Sequence, residues 1–256
     1  VKLIHCTDLH LNVLPPSFPK EFGKELSKHG DVLVITGDTA ESTSLEYNLC
    51  ELADGFEKPI YFVNGNHCCY GNSISGTREL AKKISKYTDN LFYLPCEPKV
   101  LNDNTILIGS DGWYDCRCGG DPYLLDMEDH YAIDEFKFCH KDEIIRLSKV
   151  EADTLAQQAD IQIKNVAKQY KSIYFATHVP PFPDPGRKDM VWDPWFVHIS
   201  MGNKLADIAV DYPDTSFIIL AGHRHKPYTY RVSHNMIMFV GAAEYRKPSI
   251  SGMYTI

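Results

Sequence analysis

No apolar run in this sequence approaches the length of a membrane span, so nothing in it reads as a transmembrane helix. Basic residues are not in excess either: 26 Lys and Arg against 34 Asp and Glu leave a net charge of −8. That balance argues against holding polyanionic nucleic acid through the general surface field. It leaves room for a small phosphorylated molecule bound at metal ions, whose charge is local. Neither Cys68-Cys69 nor Cys116-x-Cys118 has a second pair at zinc-finger spacing. The eight cysteines are therefore expected as reduced thiols of a cytoplasmic protein. Internal repeats, low-complexity tracts and linkers are missing too, which leaves one domain over residues 1–256 as the expected organisation. Strand-like sequence starts by Lys2, which reads as no signal peptide, although the missing initiating Met leaves removal of an upstream segment open.

What the chain does have is a repeated grammar. In Asp31–Asp38, four consecutive apolar residues run without alternation and end in Thr36-Gly37-Asp38, as expected of a strand buried on both faces that delivers a carboxylate at its end. Leu3–Thr7 leads likewise into Asp8-Leu9-His10, and Ile60–Val63 into Asn64-Gly65-Asn66-His67. Ile173–Ala176 leads into Thr177-His178, and Phe217–Leu220 into Gly222-His223-Arg224-His225. In open α/β sheets the carboxyl edge is where ligands bind.

Helices are expected over Lys20–His29, from Ser42 or Thr43 to Asp54, over Thr77–Tyr87, Asp142–Tyr170 and Ser200–Val210, with a short one from Tyr131 to Phe138. Their alternation with strands argues for parallel sheets with helices outside. Leu91–Leu94, Lys99–Leu101 and Thr105–Gly109 read as antiparallel pieces, and the tail (Tyr228–Val232, Met236–Val240, Met253–Ile256) as hairpin strands. The fold class expected is α/β, a four-layer α/β/β/α sandwich with loop insertions near 111–140 and 179–198.

Carboxylate, imidazole and amide donors together suit borderline first-row divalent ions such as Mn, Fe, Co, Ni or Zn. Asp8, His10, Asp38, Asn66, His178, His223 and His225 exceed what one such ion takes, and a carboxylate such as Asp38 can bridge two. In order and spacing, Asp8-x-His10, Gly37-Asp38, Gly65-Asn66-His67, His178 and Gly222-His223-x-His225 resemble the five motifs of the calcineurin-like metallophosphoesterase superfamily. The resemblance spans nearly the whole chain and implies the same four-layer fold. It also implies one metal held by Asp8, His10, Asp38 and His225, and a second by Asp38, Asn66, His178 and His223. Manganese is the ion expected to support activity.

The activity implied is hydrolysis of a phosphate mono- or diester by a metal-bridging hydroxide, with His67 as general acid. A small phosphate ester is the expected partner, with neither a membrane nor nucleic acid. Two alternatives remain at this stage: a catalytically silent interaction module of the same fold, and a metal-dependent nuclease. Trp113, Arg117 and Trp192 are candidate substrate contacts, with Tyr114, Trp195, Phe196, Arg187 and Lys188 on the same loops. The sequence departs from the family where Cys68 stands in place of a frequent acidic residue. After Asp38, Thr39-Ala40-Glu41-Ser42 lacks both the aspartate–arginine of protein serine/threonine phosphatases and the tyrosine of purple acid phosphatases.

Overall fold

The computed structural model describes residues 1–187 and 191–256. Its unalternating apolar runs become strands with a core on each face. In β2 (Val32–Thr36), Val32 and Val34 point into a layer between two sheets, while Leu33 and Ile35 point under helices. In β7 (Ser172–Thr177), Tyr174 and Ala176 meet that central layer, and Ile173 and Phe175 face outward to other helices.

One sheet is built from β1 (Lys2–Cys6), β2, β3 (Ile60–Val63), β4 (Leu91–Tyr93) and β11 (Gly252–Thr255), in the order β11-β1-β2-β3-β4. The other has β5 (Lys99–Asn102), β6 (Thr105–Ser110), β7, β8 (Ser216–Ala221), β9 (Tyr228–Arg231) and β10 (Met236–Val240), in the order β5-β6-β7-β8-β10-β9. Helices α1 (Phe18–Leu26), α2 (Ser42–Phe56) and α3 (Ile74–Tyr87) lie along the first sheet. The 26-residue α5 (Lys141–Val166) and α6 (Ile199–Asp211) cover the second. The result is the expected four-layer sandwich. Among the described residues, no helix is long and apolar enough to cross a membrane.

Several local expectations need correction. β4 pairs parallel with β3, because α3 intervenes and returns the chain in the same direction. β9 and β10 form the expected hairpin, but β10 also runs parallel to β8, and β11 leaves to pair antiparallel with β1 in the other sheet. α3 begins at Ile74 rather than Thr77, since Ser73 Oγ accepts the Gly76 amide and the Glu135 carboxylate accepts that of Ile74. Glu135 is thereby spent as a cap, and in place of the helix expected at 131–138 there is the short α4 (Asp129–Ala132), which overlaps that range at Tyr131 and Ala132.

His198 ties the 111–140 insertion to the body. Its Nδ1 accepts the Trp113 amide at 3.3 Å, and its Nε2 donates to Ala152 O at 2.9 Å, so the fold demands a neutral ring. Burial holds its pKa down to about 4, from an ordinary 6.5, against the opposing pull of Asp115. A depressed histidine contributes stability that is complete above pH 6.5 and is lost as pH falls towards 4, about 3 kcal/mol at most by linkage. Chelated protein is therefore expected to lose thermal stability across that window. His198→Gln should be less stable at pH 7 yet show an acid slope shallower by about one proton; an unchanged slope would refute the assignment.

Candidate metal centre

β1, β2 and β3 run parallel, as do β6, β7, β8 and β10, so their carboxyl ends share an edge. All seven candidate ligands follow those ends. Among the described residues, nine non-glycine positions have a left-handed φ, and five of them are Asp8, His10, Asp38, His223 and His225. Such a conformation is costly away from glycine, and its concentration here marks a functional edge. The turns also need glycine. Gly37 has φ +87°, and a Cβ there would sit 2.3 Å from His178 Nδ1. A Cβ on Gly222 would lie 2.5 Å from Asp8 Oδ2.

The ring nitrogens are oriented from behind by the backbone. His178 Nδ1 donates to Thr36 O at 2.8 Å, which leaves Nε2 facing Asn66 Oδ1 at 3.0 Å and Asp38 Oδ2 at 3.3 Å. His223 Nε2 donates to Trp195 O at 2.9 Å, which leaves Nδ1 free to face inward. His10 Nε2 lies 3.3 Å from His225 Nε2, itself 3.3 Å from Asp8 Oδ1. Such hydrogen bonds from the far side of the ring are what metal-binding imidazoles use to fix their tautomer.

The donors fall into converging groups: Asp8, His10 and His225; Asp38, His178 and His223; and a third in which His67 joins His10 and Asp38. Two buried carboxylates set the electrostatics. Burial pushes the Asp38 carboxyl up, but the His178 and His67 imidazoles outweigh it and hold it well below the usual range. Asp8 is held at about 2, because His225 and His178 overcome burial and the repulsion of Asp38. Burial opposes charge on His178, yet Asp38, its hydrogen bond and Asp8 raise the ring to about 9. For His10 and His223 burial prevails, holding both at about 4. An edge that gathers two buried carboxylates and the four candidate-ligand imidazoles around one another fits divalent first-row cations in charge and in donor type.

His67 sits beside these groups, with its amide donating to Asp38 Oδ1 at 2.9 Å. Its ring stacks on Tyr70 with centroids 4.3 Å apart, and Nε2 is 4.0 Å from Asp38 Oδ2. It opens onto a cavity of about 350 Å³ lined by Asp38, Asn66, Tyr70, Met127, Phe196 and Tyr245, among others. Phe196 lies against the His223 ring at 4.6 Å and Tyr245 against that of His10 at 4.5 Å, so aromatic faces border the site on two sides.

Apart from Phe196, the expected substrate contacts are placed elsewhere. Trp113 is buried in the core beside Tyr114 and Phe136, and Trp195 is buried as well. Arg117 grips Asp153 of α5 with both terminal nitrogens, at 2.8 and 2.7 Å. Trp192 is partly exposed and meets Phe196 edge-on, outside the cavity lining. Arg187 lies 3.6 Å from Asp193, and Lys188 lies outside the described residues. Arg224 borders the cavity but is paired with Asp193 at 2.8 Å. Cys68 is buried and accepts the Gly65 amide, and all eight cysteines are free thiols.

Sequence reasoning missed Tyr70, Asp129 and Tyr245. Tyr70 had a signal, since residues three apart in the 3-10 turn after Asn66 eclipse one another and set its ring on His67. The other two had none.

The chain is similar in structure to a phosphopantetheinyl hydrolase from Mycobacterium tuberculosis, with a TM-score of 0.67 at 14% identity over 95% of this chain and 89% of that one. It is similar also to a dimetal phosphatase from Danio rerio (TM-score 0.60, 12% identity, 94% of this chain and 87% of that one). A third is the protein TT1561 of Thermus thermophilus (TM-score 0.56, 11% identity, 94% and 88%). At such identities the likeness establishes the fold. No curated protein sequence matches. The calcineurin-like phosphoesterase family profile matches residues 1–227, a stretch that takes in β1 to β8 and every candidate ligand. The chain therefore belongs to the calcineurin-like phosphoesterases, a family of metal-dependent phosphoric ester hydrolases.

Proposed function

We propose that the protein hydrolyses a small phosphate ester at a dinuclear centre, with Asp8, His10, Asp38 and His225 holding one ion and Asp38, Asn66, His178 and His223 the other. The observation that carries this reading is the separation of the donors into two converging groups, Asp8–His10–His225 and Asp38–His178–His223. The third group borrows His10 and Asp38 from these two, which leaves His67 for the substrate. Two such ions supply Lewis acidity towards the phosphoryl oxygens and a hydroxide nucleophile at neutral pH.

The chain's own residues do the rest. Thr36 O and Trp195 O keep His178 Nε2 and His223 Nδ1 turned inward. His67, on the cavity side, delivers a proton to the departing oxygen. Phe196, Tyr245 and Met127 give the leaving group an apolar, partly aromatic wall, and a cavity near 350 Å³ suits a small molecule.

The test is to strip the protein with chelator, reload it with manganese, and assay p-nitrophenyl phosphate and bis-p-nitrophenyl phosphate in parallel. Reloading at about 100 times Kd is expected to add about 3 kcal/mol, roughly 5–10 °C in Tm for a chain of this size, and to restore hydrolysis of at least one ester. A diester preference would point to phosphodiesters, a monoester preference to phosphorylated metabolites. A full Tm rise with neither ester cleaved would replace this reading by the silent interaction module.

A further inference from the structure

One buried carboxylate outside the seven candidate ligands is aimed at them. Asp129 opens α4, inside the 111–140 insertion, and is fully buried. Its Oδ1 accepts from Asn66 Nδ2 at 2.9 Å and from the Tyr70 hydroxyl at 2.6 Å, and its Oδ2 accepts from the Tyr114 hydroxyl at 2.8 Å. No cation pairs with it among the described residues, so three uncharged donors alone hold it in place.

We propose that Asp129 is a positioning residue for the second metal site: it fixes which end of the Asn66 carboxamide faces the metals. This rests on the dinuclear reading above. A carboxamide has a donor end and an acceptor end of nearly equal shape, and only the oxygen can bind a cation. A carboxylate only accepts, so Asp129 must take the NH2 end, and Oδ1 is turned to the opposite side, 3.0 Å from His178 Nε2. Cys68, next but one along the chain from Asn66, cannot do this, because its thiol is turned back to the Gly65 amide. The same oxygen holds Tyr70, on which the His67 ring is stacked, so one carboxylate from a distant loop seats two neighbouring residues of the site.

Manganese titration of chelated protein by calorimetry tests this without reference to turnover. The wild type is expected to bind two ions. Asp129→Asn puts a donor where three donors converge, and the Asn66 amide loses its fixed sense. One of the two sites should then weaken by about 10–100-fold, as is typical when an outer partner of a metal ligand is removed, while the other is kept. Tyr114→Phe removes a donor from the same carboxylate without touching Asn66, and should leave both affinities within about threefold of wild type. Should Asp129→Asn fail to fold, Asp129→Ser carries the same expectation with less crowding. Two ions bound at unchanged affinity by a folded Asp129 variant would overturn the proposal alone. So would equal weakening of both sites, or an equal loss in Tyr114→Phe. A wild type that binds fewer than two ions would instead remove the dinuclear reading itself.

Discussion

Asp38→Asn is expected to lower kcat/KM by about 10³-fold or more, and to bring the manganese bound per chain from two towards one. The size follows from what one carboxylate is asked to do. Asp38 belongs to two of the converging donor groups, is buried, and points one oxygen at His178 while the other accepts the His67 amide. If it bridges two ions, an amide in its place loses a charge and one of its two bridging oxygens. The several kcal/mol that metal clamping contributes to the transition state then correspond to three or more decades in rate. Asparagine is the substitution of choice because residue 38 has φ +47°, a conformation asparagine tolerates better than most, and its oxygen can still accept from His67. Loss of activity should therefore come with a retained fold, checked by circular dichroism. Wild-type turnover with two ions bound would remove Asp38 from the bridging position.

The edge was legible in the sequence for a physical reason. A strand buried on both faces has few polar residues of its own, so an Asp, Asn or His within a few residues of its end stands out and its place in space is given by the strand. This is why Asp8, Asp38, Asn66, His178 and His223 could be grouped from the sequence alone. The walls were not legible, because loop residues have no period to tell inward from outward. Trp113 shows this. It follows Gly112, whose φ of +73° turns the chain under β7's end and sends the indole into the core instead of the cavity. Asp129 escaped for a related reason. Its partners Asn66, Tyr70 and Tyr114 come from two separate stretches of chain, and only the packed insertion brings them to one carboxylate. Strand pairing at the margins was also hidden, since β11 reads as a tail hairpin until β1 is seen to have an unpaired edge for it.

His67→Ala should discriminate between leaving groups. For an alkyl phosphate, whose alkoxide leaves badly without a proton, turnover is expected to fall by about 10²–10⁴-fold, the usual contribution of a placed acid. For nitrophenyl esters, whose phenolate needs little help, the loss should stay within about tenfold. The geometry behind this is specific. The ring borders the cavity, its Nε2 is 3.5 Å from the Tyr70 hydroxyl, and that hydroxyl's own proton is committed to Asp129. Tyr70 can therefore accept a hydrogen bond from His67 Nε2 but, with its own proton given to Asp129, cannot donate one to it. Asp38 stands 4.0 Å away on the other side, too far to take a proton from Nε2 through a direct hydrogen bond. Metal content is the second readout, because His67 also falls within a donor group with His10 and Asp38. An acid keeps two ions in the variant and loses rate selectively with poor leaving groups. Equal losses on both esters, accompanied by a missing ion, would make His67 a ligand and leave the proton to be supplied by water.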